Sequence, residues 1–106
     1  MSTPDKALKS QISHQAVPGG GRFVYAHDGA EAELTYAETG ASAGASRVIA
    51  DHTHVPDAMR GQGVAGHLVD ALIARARSDG WTIVPRCSYV AAAFKRHPEW
   101  SDVLAD

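Results

Sequence analysis

A single cysteine is the side chain of this sequence most able to act as a nucleophile. Cys87 follows Arg86 and directly precedes a predicted helix. A neighbouring cation and a helix N-terminus both favour the thiolate over the thiol. A thiolate could accept an acyl group and pass it on, whereas the alternative fate of a free cysteine is that of a small buried apolar side chain.

Two histidines lie two residues apart in a predicted strand. His52 and His54 therefore share one face, while Asp51 and Thr53 are expected to point to the other. Histidine titrates near neutral pH, so His52 could serve as a general base. The alternative is that these are solvated or core-satisfied strand residues. No metal site is predicted, because the pair has no third ligand at a useful spacing.

A glycine-rich run precedes the longest predicted helix. It reads Arg60-Gly61-Gln62-Gly63-Val64-Ala65-Gly66. Glycines allow a ligand to approach the backbone closely, and the first amides of a helix have no internal partner. A phosphate group is the expected occupant, with Arg60 as an added cation; the alternative is a turn without a ligand. The glycine spacing also matches the dinucleotide fingerprint, but no acidic residue follows about 20 positions later, which excludes that fold.

The elements around these residues predict an α+β domain of order β-β-β-α-β-α. Alternating apolar and polar residues predict strands over 22–27, 31–38 and 47–55. Short turns would join them into an antiparallel meander, with Asp28-Gly29 as a hairpin signal and the small residues of 39–46 as a loop.

The second half of the chain predicts two helices around a fourth strand. Apolar residues at helical spacing predict a helix over Val64–Asp79 that Gly80 ends. A strand over 81–87 and a helix over 89–96, capped by Ser88, would follow. Pro85 cannot donate to a ladder, so the fourth strand either lies at an edge or separates locally from the third.

Composition limits the classes of protein that remain. The chain has 106 residues, 44% of them hydrophobic and 21% charged, with a formal net charge of −2. One domain is expected at 21–106, behind a flexible extension over 1–20. No basic surface favours nucleic acid, and no apolar run approaches the roughly 18 residues of a membrane span. One cysteine and no signal-like apolar segment favour the cytoplasm.

Three segments resemble the GNAT superfamily, the GCN5-related N-acetyltransferases. The run from Arg60 to Ala65 fits the family's pyrophosphate loop, Q/R-x-x-G-x-G/A. The segments 85–90, P-R-C-S-Y-V, and 95–100, K-R-H-P-E-W, resemble a minimal subfamily similar to vertebrate N-acetyltransferase domain-containing protein 1. The resemblance extends over residues 22–106 and implies a minimal GNAT-like fold in which the third and fourth strands are splayed.

The resemblance also implies a donor, acetyl-CoA, and an amine acceptor that is a small molecule or a protein. The donor's pantetheine would run between the splayed strands, which accounts for Pro85. Cys87 and His52 are then the candidate catalytic residues, and Cys87 either carries the acetyl group or only lines the pantetheine channel. The residues implied in donor binding are Val55, Arg60, Gly61, Gln62, Gly63, Val64, Ala65 and Gly66.

One departure from the superfamily leaves a second function open. Many members carry a tyrosine that protonates the departing thiolate, and Phe94 occupies the matching position here. The chain is also shorter than a typical member and lacks the early helices that wall the acceptor site. The alternative to an acetyltransferase is therefore a non-catalytic module that binds acetyl-CoA or CoA.

Overall fold

Five strands and two α-helices form the protein in the computed structural model, which describes residues 12–42 and 45–105. The sheet has the order β1-β2-β3-β4-β5, antiparallel except for the parallel pair of β4 and β5. This confirms the predicted α+β class, with one additional strand at the start. The strands are β1 (Ile12–Val17), β2 (Gly20–His27), β3 (Ala30–Ser42), β4 (Ala45–His54) and β5 (Trp81–Pro85). The helices are α1 (Val64–Asp79) and α2 (Ser88–Arg96), and short 3-10 helices cover Asp57–Met59 and Pro98–Val103.

The turn signal between the second and third strands is confirmed. Asp28 and Gly29 have φ values of 51° and 79°, both left-handed, and they join His27 directly to its partner Ala30. Two successive positive φ values define the tight hairpin turn whose twist matches that of the flanking strands.

The loop predicted over 39–46 is wrong at both of its ends. β3 extends to Ser42 and β4 begins at Ala45, and these two residues pair with each other. Small side chains have low strand propensity, but main-chain hydrogen bonds can continue a ladder past them. Residues 43–44 lie outside the described residues.

The long helix α1 has the predicted bounds and the predicted end. Gly80 follows it with a left-handed φ of 76°, and its amide donates to the Ala76 carbonyl, so the last turn is capped. One stripe of α1 is buried against the sheet. The buried stripe consists of Val64, Leu68, Val69, Leu72, Ile73 and Ala76.

No helix among the described residues is long and apolar enough to cross a membrane.

The core lies on the face of the sheet that α1 covers. Leu34, Val48, Ala50 and Ile83 are fully buried there, because alternate residues of each strand point to the same side. The opposite face of β3 is polar, with Glu31, Glu33 and Thr35 in the intervening positions. The two faces therefore offer different surroundings to any residue of the neighbouring β4.

The flexible extension predicted over 1–20 is wrong from Ile12 onward. β1 pairs with β2 along its whole length, from Ile12 opposite Tyr25 to Val17 opposite Gly20. The strand was missed because its alternation is weak: His14 takes the place of an apolar residue on the inner face. Residues 1–11, which include the helical turn expected near Lys6, lie outside the described residues.

His14 attaches β1 to the core through aromatic contacts. Its ring stacks on Phe23 with centroids 4.7 Å apart, and Nε2 is hydrogen bonded to the Tyr36 hydroxyl at 2.7 Å. Burial is the main cause that lowers the pKa of His14 from its usual value. A Cβ at Gly21 would lie 2.5 Å from the Tyr36 hydroxyl, so the glycine leaves the space that this ring occupies.

β4 and β5 separate at Ala50 and Pro85, the last pair of their ladder. Pro85 has no amide to donate, and the amides of Arg86 and Cys87 both donate to the Ala50 carbonyl, at 3.1 and 2.8 Å. β4 continues to His54 without β5 beside it, which confirms the predicted separation of these two strands. The fourth predicted strand thus ends two residues early.

The second helix begins one residue before the predicted start. Cys87 is the N-cap of α2 and Ser88 is its first residue, so Ser88 is not the cap that was predicted. The N-cap position turns Cys87 out of the sheet ladder and places it at the opening between the two strands.

Deletion of residues 1–17 should destabilise the fold more than deletion of residues 1–11. The longer deletion removes β1, whose cross-strand pairs contribute about 0.2–1 kcal/mol each. We expect the free energy of unfolding to fall by at least about 1 kcal/mol, which lowers the melting temperature of a domain of this size by about 4–8 °C. Thermal denaturation followed by circular dichroism measures the difference. Equal melting temperatures would show that β1 does not stabilise the domain.

Candidate functional site

The glycine-rich run forms the entry to α1. Gly61 and Gly63 have φ values of 81° and 75°, which residues with side chains rarely adopt. Gly63 is the N-cap, and without a side chain it cannot satisfy the first amides of the helix. Because the first bond within the helix runs from the His67 amide to the Gly63 carbonyl, the amides of residues 64–66 have no acceptor inside it. Such amides are donors suited to an anion.

An open cavity of about 230 Å³ lies against this run. A Cβ built at Gly61 would meet no atom within 4 Å, so the loop leaves room for a ligand. Gln62 does not line the cavity; its side chain is exposed and Nε2 donates to the Ala58 carbonyl at 3.3 Å. The other seven residues that the resemblance implies in donor binding do line the cavity: Val55, Arg60, Gly61, Gly63, Val64, Ala65 and Gly66.

Arg60 stands at the rim of this cavity. Its Nε lies 3.2 Å from Oδ1 of Asp57, and both side chains are exposed. An exposed pair of this kind adds little stability, but it restricts where the guanidinium can lie. Arg60 lines the same cavity as Val64, Ala65 and Gly66, the residues of the first turn of α1.

Two residues without a strong sequence signal complete the cavity wall. Met59 is buried beneath it, and Tyr89 of α2 closes the side opposite α1. The Tyr89 hydroxyl lies 3.8 Å from the position of a Cβ at Gly66, so the starts of the two helices approach each other here. Tyr89 belongs to the C-S-Y-V segment that the resemblance singles out, two residues after Cys87.

The faces of β4 differ from the prediction because the strand contains a bulge. Ala50 pairs with Tyr36 and His52 with Thr35, so Asp51 is an extra residue opposite no partner. Two adjacent residues of a bulge oppose one residue of the neighbouring strand, and the alternation of faces shifts beyond it. Asp51 therefore lies on the polar face, where its carboxylate accepts a hydrogen bond from Thr35.

Beyond the bulge, Thr53 lies on the face that α1 covers. It pairs with the buried Leu34, whereas His52 and His54 pair with residues of the polar face. The prediction that Asp51 and Thr53 share a face is thus wrong, and the prediction that His52 and His54 share one is confirmed. The two histidine rings stack with centroids 6.4 Å apart, and both side chains are exposed.

Cys87 lies beside Thr53 at the opening between β4 and β5. Its Sγ is 3.4 Å from Oγ1 of Thr53, and the side chain is half-buried against the core. Burial raises the pKa of the Cys87 thiol, but hydrogen bonds to the sulfur outweigh it, and the pKa lies below the usual value. The thiol donates to the Thr53 hydroxyl, which can in turn donate to the thiolate; the amides of Thr53, Tyr89 and Val90 are the backbone donors.

The structure does not bring His52 to the same face as Cys87. His52 is exposed on the polar face of β4, while the thiol lies with Thr53 on the other. Phe94, at the position where many acetyltransferases have a proton-donating tyrosine, is buried edge-on against Trp100. Cys87 is therefore the reactive group that lies at the opening between the strands. No group of three or more metal-ligating side chains occurs within 12–42 and 45–105.

The family profile of the GCN5-related N-acetyl-transferases matches residues 22–103, which is most of the chain. The protein belongs to this family. The match begins after β1 and includes the loop, the bulged strand and both α-helices. The chain is therefore a GNAT-type acetyltransferase domain.

A solved structure supports the same fold. The crystal structure of ribosomal-protein-alanine N-acetyltransferase from Brucella melitensis biovar Abortus 2308 superposes with a TM-score of 0.58 at 19% sequence identity. The alignment covers 84% of this chain and 65% of that one. The similarity at this identity concerns the fold, and this GNAT chain spans less than two-thirds of the length of the other protein.

The environment of Cys87 predicts how its reactivity depends on pH. Because the pKa of the thiol is lowered in the folded state, the thiolate persists to lower pH and is lost only as the pH falls through that lowered pKa. We expect the pH profile of alkylation by iodoacetamide to lie at lower pH for the folded protein than for the guanidinium-unfolded chain. Intact mass measures the rate, with Cys87→Ser as the unlabelled control. A folded profile at equal or higher pH would contradict the assignment.

Proposed function

We propose that the protein is an acetyl-CoA-dependent acetyltransferase in which Cys87 carries the acetyl group to an amine. One observation carries the proposal: Tyr89, which lines the cavity at the glycine-rich loop, is hydrogen bonded through its amide to the sulfur of Cys87, just after β4 and β5 separate. Tyr89 belongs to both environments, since it lines the cavity and its amide faces the sulfur.

The loop fits the pyrophosphate of a CoA donor. Amides of residues 64–66 and the positive end of the α1 dipole would hold the phosphates, and Arg60 would add a cation. The absence of side chains at Gly61 and Gly63 lets phosphate oxygens reach the backbone. The pantetheine arm would continue past Val55 towards the gap, so that the thioester reaches Cys87.

Cys87 would act as the nucleophile in a two-step transfer. Its thiolate attacks the carbonyl carbon of the acetyl thioester, a new C–S bond forms, and the bond to the CoA sulfur breaks. The CoA thiolate leaves and takes a proton from solvent. A neutral acceptor amine then attacks the acetyl-Cys87 carbonyl; the amide C–N bond forms, the C–S bond to Cys87 breaks with release of its thiolate, and the proton of the amine passes to solvent. No step requires the tyrosine that Phe94 replaces.

The alternative is direct attack of the amine on the donor, with His52 as the general base. The position of His52 on the face opposite Thr53 supports the covalent route, because the histidine is separated from the thiol by the backbone of β4. The acceptor class remains a small amine or a protein amine, and we assign the protein to the minimal GNAT subfamily on its C-S-Y-V and K-R-H-P-E-W segments. We propose the cytoplasm as its location, since an accessible thiolate nucleophile needs a reducing environment.

Substitution of Gly63 by alanine should weaken CoA binding, and the same substitution at Gly80 should not. The two glycines flank α1 with nearly equal φ values, 75° and 76°, so the backbone strain is matched. A methyl group at Gly63 would lie in the wall of the cavity, 3.9 Å from the His67 ring, where the phosphates are proposed to bind. We expect the dissociation constant for CoA to rise at least about tenfold for Gly63→Ala. Isothermal titration calorimetry measures both variants, and equal affinities would show that the loop is only a turn.

Acetyl-CoA alone should transfer one acetyl group to Cys87. Intact mass should increase by one acetyl group in the wild type and remain unchanged in Cys87→Ala, and hydroxylamine should remove the added mass because a thioester is labile to it. Addition of a primary amine or a lysine-containing peptide should return the protein to its original mass with formation of an amide.

Two other outcomes of the same experiment would overturn the covalent assignment. If acetyl transfer to an amine persists in Cys87→Ala but is lost in His52→Ala, the amine attacks the donor directly with His52 as the general base. Tight CoA binding without transfer to any amine, in either protein, would show a CoA-binding module. Because Phe94 cannot donate a proton, this second outcome has a structural basis of its own.

A further inference from the structure

One hydrogen bond on the polar face of the sheet, between Thr35 and Asp51, stabilises the bulge in β4. Oγ1 of Thr35 donates to the Asp51 carboxylate at 2.5 Å and lies 3.5 Å from the carbonyl of His52. The same hydroxyl therefore contacts both the extra residue Asp51 and its neighbour His52, which pairs with Thr35. A bulge leaves its extra residue outside the ladder, and this side-chain bond replaces the missing main-chain contact.

The effect of the bulge appears on the opposite face of the strand. In an uninterrupted strand, residues three positions apart point to opposite sides. Ala50 and Thr53 are three positions apart, yet both pair with buried residues of β3, Tyr36 and Leu34. The extra residue therefore turns Thr53 towards Cys87, where its hydroxyl meets the sulfur at 3.4 Å.

We propose that Thr53 activates Cys87 and that Thr35 and Asp51 are positioning residues, which act through Thr53 by fixing the bulge. The Thr53 hydroxyl donates to the sulfur once the thiol has lost its proton, which favours the nucleophilic form. Thr35 and Asp51 touch neither the sulfur nor the cavity; they determine the face on which residue 53 lies. The inference rests on the proposed function only in one respect, the role of Cys87 as the carrier of the acetyl group.

Other charged groups around the thiol do not account for its activation. The exposed Arg86 is its neighbour in sequence, and α1 carries His67 in its first turns. On β4, His52 and His54 face the other side of the sheet. Among residues 12–42 and 45–105, the groups that lower the pKa of Cys87 are the amides of Thr53, Tyr89 and Val90 and one side chain, that of Thr53.

Alkylation of Cys87 by iodoacetamide at a series of pH values tests the proposal without acetyl-CoA or an acceptor. For Thr53→Val we expect the pH profile to move upward and the rate at a pH below the usual thiol pKa to fall about threefold to tenfold, the effect of one lost hydrogen bond. Thr53→Ser retains the hydroxyl and should retain the wild-type profile. The alkylation assay does not depend on acetyl transfer, so it can be interpreted even if Cys87 does not accept an acetyl group. A failure of the proposed function is therefore distinguishable from a failure of this inference.

The positioning residues are tested by the same profile. We expect Thr35→Val and Asp51→Ala to move the pH profile of alkylation upward, as Thr53→Val does. Asp51→Asn still accepts a hydrogen bond and should leave the profile unchanged. Thr35→Val should add nothing in a Thr53→Val background, because both changes remove the same contact. The matched control is Thr39→Val, which removes a threonine hydrogen bond to the Arg47 carbonyl elsewhere between β3 and β4.

Three results would overturn the proposal. An unchanged profile in Thr53→Val would show that the hydroxyl does not activate the thiol. A shift in Thr53→Val with none in Thr35→Val or Asp51→Ala would show that the bulge holds without its hydrogen bond. An equal shift in Thr39→Val would show a general loss of stability. Circular dichroism verifies folding, and if Thr35→Val does not fold, Asp51→Ala tests the same bond from its other side.

Discussion

The carbonyl oxygen of Ala50 is the last point that holds β4 and β5 together, and the site depends on where it lies. It accepts both the Arg86 and Cys87 amides, immediately after a proline that has none to offer. A ladder continued by one more pair would keep Cys87 inside the sheet, and α2 would begin later. Because the ladder ends here, the cysteine becomes the N-cap of a helix and β4 has an open edge beside the cavity.

The one-residue bulge in β4 determines on which face of the sheet the following side chains of the strand lie. A single inserted residue changes no secondary structure and leaves β3 and β4 paired on both sides of it. It nevertheless exchanges the surroundings of Asp51 and Thr53: the carboxylate goes to the polar face and the hydroxyl to the inner one. The face on which Thr53 lies, beside the Cys87 sulfur, thus depends on the pairing of β4 with β3.

Local patterns in the sequence predicted the local parts of the structure. The α1 stripe and Gly80 mark the helix, and Asp28-Gly29 marks the hairpin, because each signal is contained in a few neighbouring residues. The glycine-rich loop and the family resemblance located the cavity lining for the same reason. Pro85 indicated a gap because the missing amide is a property of one residue.

The errors concern contacts between distant segments. β1 was missed because His14 becomes an inner-face residue only through Tyr36 and Phe23, which follow later in the chain. The bulge was missed because nothing near Asp51 marks it as an extra residue; its partner Thr35 is 16 positions away. A period-two pattern read from β4 alone therefore assigned Asp51 to the face of Thr53, whereas the bulge places Asp51 on the polar face with His52 and His54.

The single gap between β4 and β5 has a consequence for the order of events. A direct transfer needs donor and acceptor bound together, and therefore two walled sites. If Cys87 carries the acetyl group as proposed, CoA can leave before the amine arrives, and both can use the same opening in turn. Such double-displacement kinetics, in which one product departs before the second substrate binds, would not require donor and acceptor to be bound at the same time.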